Sequence, residues 1–202
     1  MMLQPVDPSG LNLSGLNHLD LDPLLLEFAT YWKGLPKKGL VPDRVDFLPT
    51  DIPHLLPHLT IHELLSTDFI QLRLVGTAIE NVYGQNMTGK NYLDFIPPSG
   101  RVQTSKAIHL SCEHPVAMVF HTKSTTKKGT LLERQSIAFP MRSGEGPPRL
   151  IYFCTITTNP RPYADQQREQ LVINDVSISF IDIGAGIPDI GTPTIGIPIS
   201  HN

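Results

Sequence analysis

Only two of the 202 residues are cysteines, Cys112 and Cys154. So few thiols argue against a disulfide scaffold and fit a reducing compartment. No apolar run approaches the ~20 residues of a membrane span. The opening MMLQPVDPSG has neither the basic nor the apolar region of a signal peptide. Positive charge is not in excess: 16 Lys and Arg face 19 Asp and Glu, for a net charge of −3. That balance gives no electrostatic footprint for nucleic acid or an anionic membrane surface. The one basic cluster, Lys123 to Lys128 with Thr125 and Thr126 inside it, suits a hairpin tip. What is present is a 40% hydrophobic fraction, enough for a core, in a chain sized for one domain plus extensions. The expectation is a soluble cytoplasmic protein.

Histidines recur at 54, 58 and 62 in DIPHLLPHLTIH, a spacing that on one helix face would suggest a metal site. Proline decides against it. Pro53 is tolerable in a first turn capped by Asp51, but Pro57 one turn later would break a helix. A single turn over Ile52–Leu55 followed by a strand from Leu59 puts His58 and His62 about 13 Å apart at ~3.3 Å per residue. One zinc ion cannot span that, so no metal is expected.

Residues 1–19, rich in Pro, Gly, Ser and Asn, are expected to be a flexible N-terminus. Asp22 then caps a helix with Pro23 in its first turn, and Leu21, Leu24, Leu25, Phe28, Tyr31 and Trp32 form an apolar stripe. DFIQLRLVG alternates, with Ile70, Leu72 and Leu74 on one face and Phe69, Gln71, Arg73 and Val75 on the other. GTAIENVYG is a short helix with a Thr77–Glu80 capping box and Gly84 at its C-terminal end. YLDFI gives one turn, and SGRVQTSKAIHLSCE a longer helix with Val102, Ile108 and Leu110 among its apolar positions. Three meandering strands follow, VAMVFHTKS, LLERQSIAFPMR and LIYFCTIT, the first two joined at Lys127-Lys128-Gly129. Beyond Thr158, YADQQREQL suggests a helix, VSISFIDIG another strand, and the rest a Gly/Pro/Ile-rich tail. This order predicts an α+β fold with an antiparallel sheet.

Several motifs fail on chemistry. GQNMTGKN nearly matches a P-loop, but Asn91 stands where Ser or Thr must hold Mg²⁺, and a helix rather than a strand precedes it. GAGIPDIG departs from a dinucleotide fingerprint at Asp189, and Pro188 obstructs the helix that motif requires. Cys112 lies near His109 and His114, but no third orienting group is evident. A buried cysteine acting as a small hydrophobe is the expected reading. His121 is expected to be exposed, facing away from Phe120.

DIPHLLPHLTI followed by FIQLRLVGTAIENVYGQNMTGKNYLDF resembles a PAS-domain subfamily of short bacterial, alphaproteobacterial-type proteins. The matching features are the I-P-x-L-L-P turn, the R-L-V-G-T strand ending, the G-x-x-x-T-G-K turn, the aromatic N-terminal helix and ERQSIAFPM. The resemblance covers about residues 24 to 157. It implies a five-stranded antiparallel sheet flanked by short helices, with an N-terminal helix and a C-terminal extension. On that reading residues 20–158 form the domain and 159–202 the extension.

The resemblance also implies a stand-alone sensory or regulatory module that binds a small ligand or a signalling protein, without catalysis. A homodimer through the N-terminal helix is expected, with no nucleic acid or membrane partner. A haem or flavin sensor and a small enzyme using the same pocket are the alternatives. The photoactive flavin motif is absent, and His109 is the only haem-ligand candidate, so no cofactor is required. The implied pocket lies between sheet and helices. Its expected walls are Met118, Phe120, Ile137, Phe139 and Met141, closed by Tyr83 and Phe95. Arg73 is expected either to pair with a carboxylate or to orient an anionic ligand through its bidentate fork.

Overall fold

The computed structural model describes Leu16 and residues 19–126, 129–159, 171–188 and 194–195. Helix α1 (Pro23–Gly34) opens as its sequence dictates, with the Asp22 carboxylate accepting a hydrogen bond from the Leu24 N–H at 2.9 Å. A two-stranded ribbon, β1 (Lys37–Lys38) and β2 (Val41–Pro42), leads into short 3-10 turns. Then come β3 (Leu59–Ser66), β4 (Phe69–Val75), α2 (Thr77–Tyr83), a 3-10 turn at Tyr92–Phe95 and α3 (Arg101–Glu113). The chain returns through β5 (Val116–Thr126), β6 (Leu131–Met141), β7 (Leu150–Thr157), β8 (Leu171–Asp182) and β9 (Thr194–Ile195). No described helix is long and apolar enough to cross a membrane.

The fold is α+β, and the main sheet is antiparallel in the order β4-β3-β7-β6-β5-β8-β9. Its first five strands are the five expected. The sheet extends further because β8, from the segment read as an extension, pairs with β5 from Val116↔Asp182 to Thr126↔Leu171. Leu171 thus opens a strand, whereas the rest of the helix expected at YADQQREQL, the Lys127-Lys128 hairpin tip and most of the tail lie outside the described residues. Leu16, in the segment expected to be flexible, is buried in the core beside α1.

Each sheet face has its own cover. On one, α1 buries Leu25, Phe28, Ala29 and Trp32 against Ile137, Phe139, Met141, Tyr152 and Cys154. Trp32 stacks on Phe139 at 4.5 Å and donates its indole N–H to the Met141 sulfur at 3.2 Å. Burying side chains of this size stabilises by roughly 1.5–3 kcal/mol each. The apolar stripe therefore faces the chain's own sheet, and Pro23, Glu27 and Thr30 are left exposed. On the opposite face, α2, α3 and the Tyr92–Phe95 turn cover Met118, Phe120, Ala138, Ile151 and Phe153.

Local details depart from the sequence expectations. The turn expected to stop at Leu55 is a 3-10 helix running Pro53–His58, through Pro57. A proline ring clashes with the carbonyl four residues back in an α-helix; the tighter 3-10 turn is hydrogen-bonded over three residues and avoids that geometry. Asp51 does not cap it, since Ile52 takes that place without a side-chain bond. The capping box at α2 is also absent. Gly76 is the N-cap, and the Glu80 carboxylate accepts the Met87 N–H at 3.3 Å instead. In α3, Ile108 is buried but Val102 is exposed. Strand β4 carries a bulge: Leu72 faces His62 while Leu74 faces Ile61, so Arg73 is the extra residue. The bulge switches the alternation, leaving Leu74 43% exposed and Val75 buried.

Candidate ligand cavity between sheet and helices

A cavity of about 70 Å³ lies between the helix-covered sheet face and α2, α3 and the turn before α3. Antiparallel register determines which side chains floor it. Across β5, β6 and β7, Phe120 faces Ser136, Thr122 faces Arg134, and Ser136 faces Thr155. Thr60 and His62 of β3 complete the polar floor, and Leu72, Val75, Ile79 and Met87 form an apolar wall with Tyr83 and Tyr92 nearby.

Arg134 is the one permanent charge on this lining, and it is only 6% exposed. Its Nη1 donates to the Tyr83 hydroxyl at 2.9 Å, and its guanidinium carbon lies 5.2 Å from the Tyr83 ring centroid. Among the described residues no carboxylate pairs with it, and its Nε–H has no acceptor. His62, 3% exposed, is held between Tyr92 at 4.5 Å and Phe153 at 4.3 Å. Its Nε2 lies 3.4 Å from the Thr60 hydroxyl, and its Nδ1 has no partner. Burial pushes its pKa down to about 3, so the ring is neutral at neutral pH. The Ser136 and Thr155 hydroxyls bond each other at 2.8 Å. Burial chiefly pushes the Tyr92 phenol above its ordinary range, so it stays protonated.

Of the residues proposed from sequence, Tyr83 and Phe120 line the cavity. Phe95 stands behind Tyr83, edge to face at 5.7 Å. Met118 packs deeper on the same sheet face. Ile137, Phe139 and Met141 lie on the other face, under α1. The register gives the reason: Met118 faces Ala138 and Phe120 faces Ser136, so the cavity face of β6 carries Arg134, Ser136 and Ala138. Arg73 lies outside the cavity, with its Nη1 3.0 Å from the Glu63 carboxylate, which also lies 3.5 Å from Arg149. Arg134, Ser136 and Thr155 carry no motif in the sequence, and His62, weighed there only as a metal ligand and set aside, lines the cavity instead. A polar Arg-x-Ser alternating with the apolar residues of β6 was the available signal.

The remaining chemical candidates disperse. His54 pairs with Glu27 at 2.9 Å, and His58 stays in the 3-10 turn. His109 and His114 contact the carbonyls of Ser105 and Gly186, and Cys112 approaches that of Leu150 at 3.8 Å. Burial pushes both the Cys112 and Cys154 thiols up to about 12, which leaves them protonated and unreactive. His109 lines a separate, more open depression beside α3. No group of three or more His, Cys, Asp or Glu among the described residues is placed to hold a metal.

A sheet covered by short helices on one face and an N-terminal helix on the other, with a cavity beneath the short helices, defines a class. The chain belongs to the PAS domain family, whose model matches residues 22–154. No curated protein matches it. Among solved structures, an RNA-binding Light-Oxygen-Voltage receptor is 19% identical over 61% of this chain and 37% of its own, with a TM-score of 0.41. VqmA bound to DPO is 12% identical over 55% of this chain and 56% of its own, with a TM-score of 0.42. The Light-Oxygen-Voltage domain of the blue-light activated histidine kinase of Erythrobacter litoralis is 20% identical over 50% and 95%, with a TM-score of 0.37.

Proposed function

We propose that this PAS domain is a sensory or regulatory module that works by holding a small ligand in the Arg134–His62 cavity, without catalysis. The observation carrying this reading is a pair of buried polar atoms, Arg134 Nε and His62 Nδ1, without partners among the described residues and carried by two side chains that line one cavity. Buried polar groups are nearly always hydrogen-bonded, and an exception calls for a specific account. A bound molecule supplies one. Against catalysis, the described lining has no carboxylate, lysine or cysteine, and its histidine is held neutral by burial. A space of about 70 Å³ also favours a small metabolite over a haem or a flavin. Output then passes to a signalling partner. The apolar stripe of α1 packs on the chain's own sheet, so a homodimer through this helix would use its outer side.

Native mass spectrometry of the purified chain and thermal-shift screening of small metabolites test this reading. A retained mass, or a compound that raises the melting temperature, is expected in the wild type. Either should be lost in Ser136→Leu, which fills the cavity floor. If no compound shifts the wild type, the module relays contacts and binds nothing.

A further inference from the structure

Arg134 specifies more than the presence of a ligand. A guanidinium keeps its charge throughout the pH range proteins tolerate, and burying it without a counter-charge is unfavourable. Tyr83 takes one of its N–H groups, but a phenol supplies no negative charge. With His62 neutral and Tyr92 protonated, the described lining carries one net positive charge. Charge balance therefore favours a monoanion, because a dianion would leave a buried negative charge of its own. Leu72, Val75 and Ile79 make the adjoining wall apolar, which suits a hydrocarbon tail better than an inorganic ion. The space of about 70 Å³ admits roughly five to seven water-sized groups.

We propose that the cavity binds a short-chain monocarboxylate, its carboxylate on the Arg134 guanidinium and its hydrocarbon tail against Leu72, Val75 and Ile79. This rests on the ligand-binding reading above and names its chemical class. His62 adds a second polar group to the same lining: when Nε2 accepts from the Thr60 hydroxyl, the proton lies on Nδ1, a donor without a partner among the described residues.

Calorimetric titration with butyrate, its uncharged isostere butyramide and inorganic phosphate provides the test, after unfolding and refolding to strip any retained molecule. Butyrate should bind, with butyramide and phosphate weaker by at least about ten-fold, the scale of a charge-assisted hydrogen bond. Arg134→Met should abolish butyrate binding while the ligand-free melting temperature holds or rises, because an uncompensated buried charge is gone. A purely structural arginine would lower it. Should Arg134→Met fail to fold, Arg134→Lys decides: lacking the planar fork, it should bind butyrate at least about ten-fold more weakly. Butyramide or phosphate binding as tightly as butyrate, or an Arg134 variant retaining full affinity, overturns the monocarboxylate and leaves the ligand reading standing. If butyrate fails to bind while screening finds other compounds, the class alone falls; if nothing binds at all, both readings fall.

Discussion

His62 shows how one buried ring ties stability to pH. Its folded pKa is depressed to about 3 by burial, against 6.5 in an exposed ring. As pH falls below 6.5 the unfolded chain takes up the proton first, so stability is lost on acidification through that window. The loss from pH 7.5 to 5 should be about 2 kcal/mol, within the limit of ~1.4 kcal/mol per pH unit for a single group. His62→Phe keeps an aromatic ring between Tyr92 and Phe153 and removes the titration. Chemical denaturation at the two pH values should show a smaller acid loss in the variant by about that amount. Equal losses in both proteins would show that other groups govern the pH dependence.

At the level of the element, two sequence signatures prove to be one contact. The backbone of Gly76, in the R-L-V-G-T strand ending, lies against the carbonyls of Leu56 and Pro57, in the I-P-x-L-L-P turn, and its N–H donates to the Leu59 carbonyl at 2.7 Å. A Cβ at Gly76 would overlap both carbonyl oxygens. Gly76→Ala should therefore destabilise by about 2 kcal/mol or more, as overpacking does. Thermal denaturation checks this, and a neutral result would show that the 3-10 turn can move away. The near P-loop has a structural role too. The Asn91 side chain accepts the Ile70 and Leu93 N–H groups and donates to Asp68, covering the edge of β4.

The periodic elements were legible because hydrophobic alternation records burial directly: α1, α3 and β3 to β8 all appear in the residue pattern. Register was not legible. The bulge at Arg73 and the face of β6 depend on pairing between distant strands, and a one-residue shift moves a whole strand to the other face. The cavity's arginine was missed for that reason. Apolar Ile137, Phe139 and Met141 mark the more hydrophobic face of β6, and that face is the one under α1, whereas the cavity face is buried with Arg134 and Ser136 on it.

Across the whole molecule, the sheet is two pieces joined by one ladder. The β3–β4 hairpin belongs to the first, and the β5–β6–β7 meander with β8 to the second. Among the described residues, only the pairing from Leu59↔Cys154 to Glu63↔Leu150 connects them within the sheet. Both pieces form from contacts nearer in sequence, whereas this ladder closes the longest loop in the sheet and is expected to form late. The cavity straddles it, with Thr60, His62 and Leu72 on one side and Arg134, Phe153 and Thr155 on the other. Before closure there is nothing for a ligand to bind. An occupant should therefore leave the refolding rate unchanged and slow unfolding, in proportion to its occupancy of the native state. Stopped-flow refolding and unfolding with and without saturating butyrate separate the two limbs, and acceleration of refolding would mean that the two pieces meet before the rate-limiting step. In that kinetic sense the ligand acts as a latch on a finished fold, lengthening the native lifetime without guiding the chain towards it.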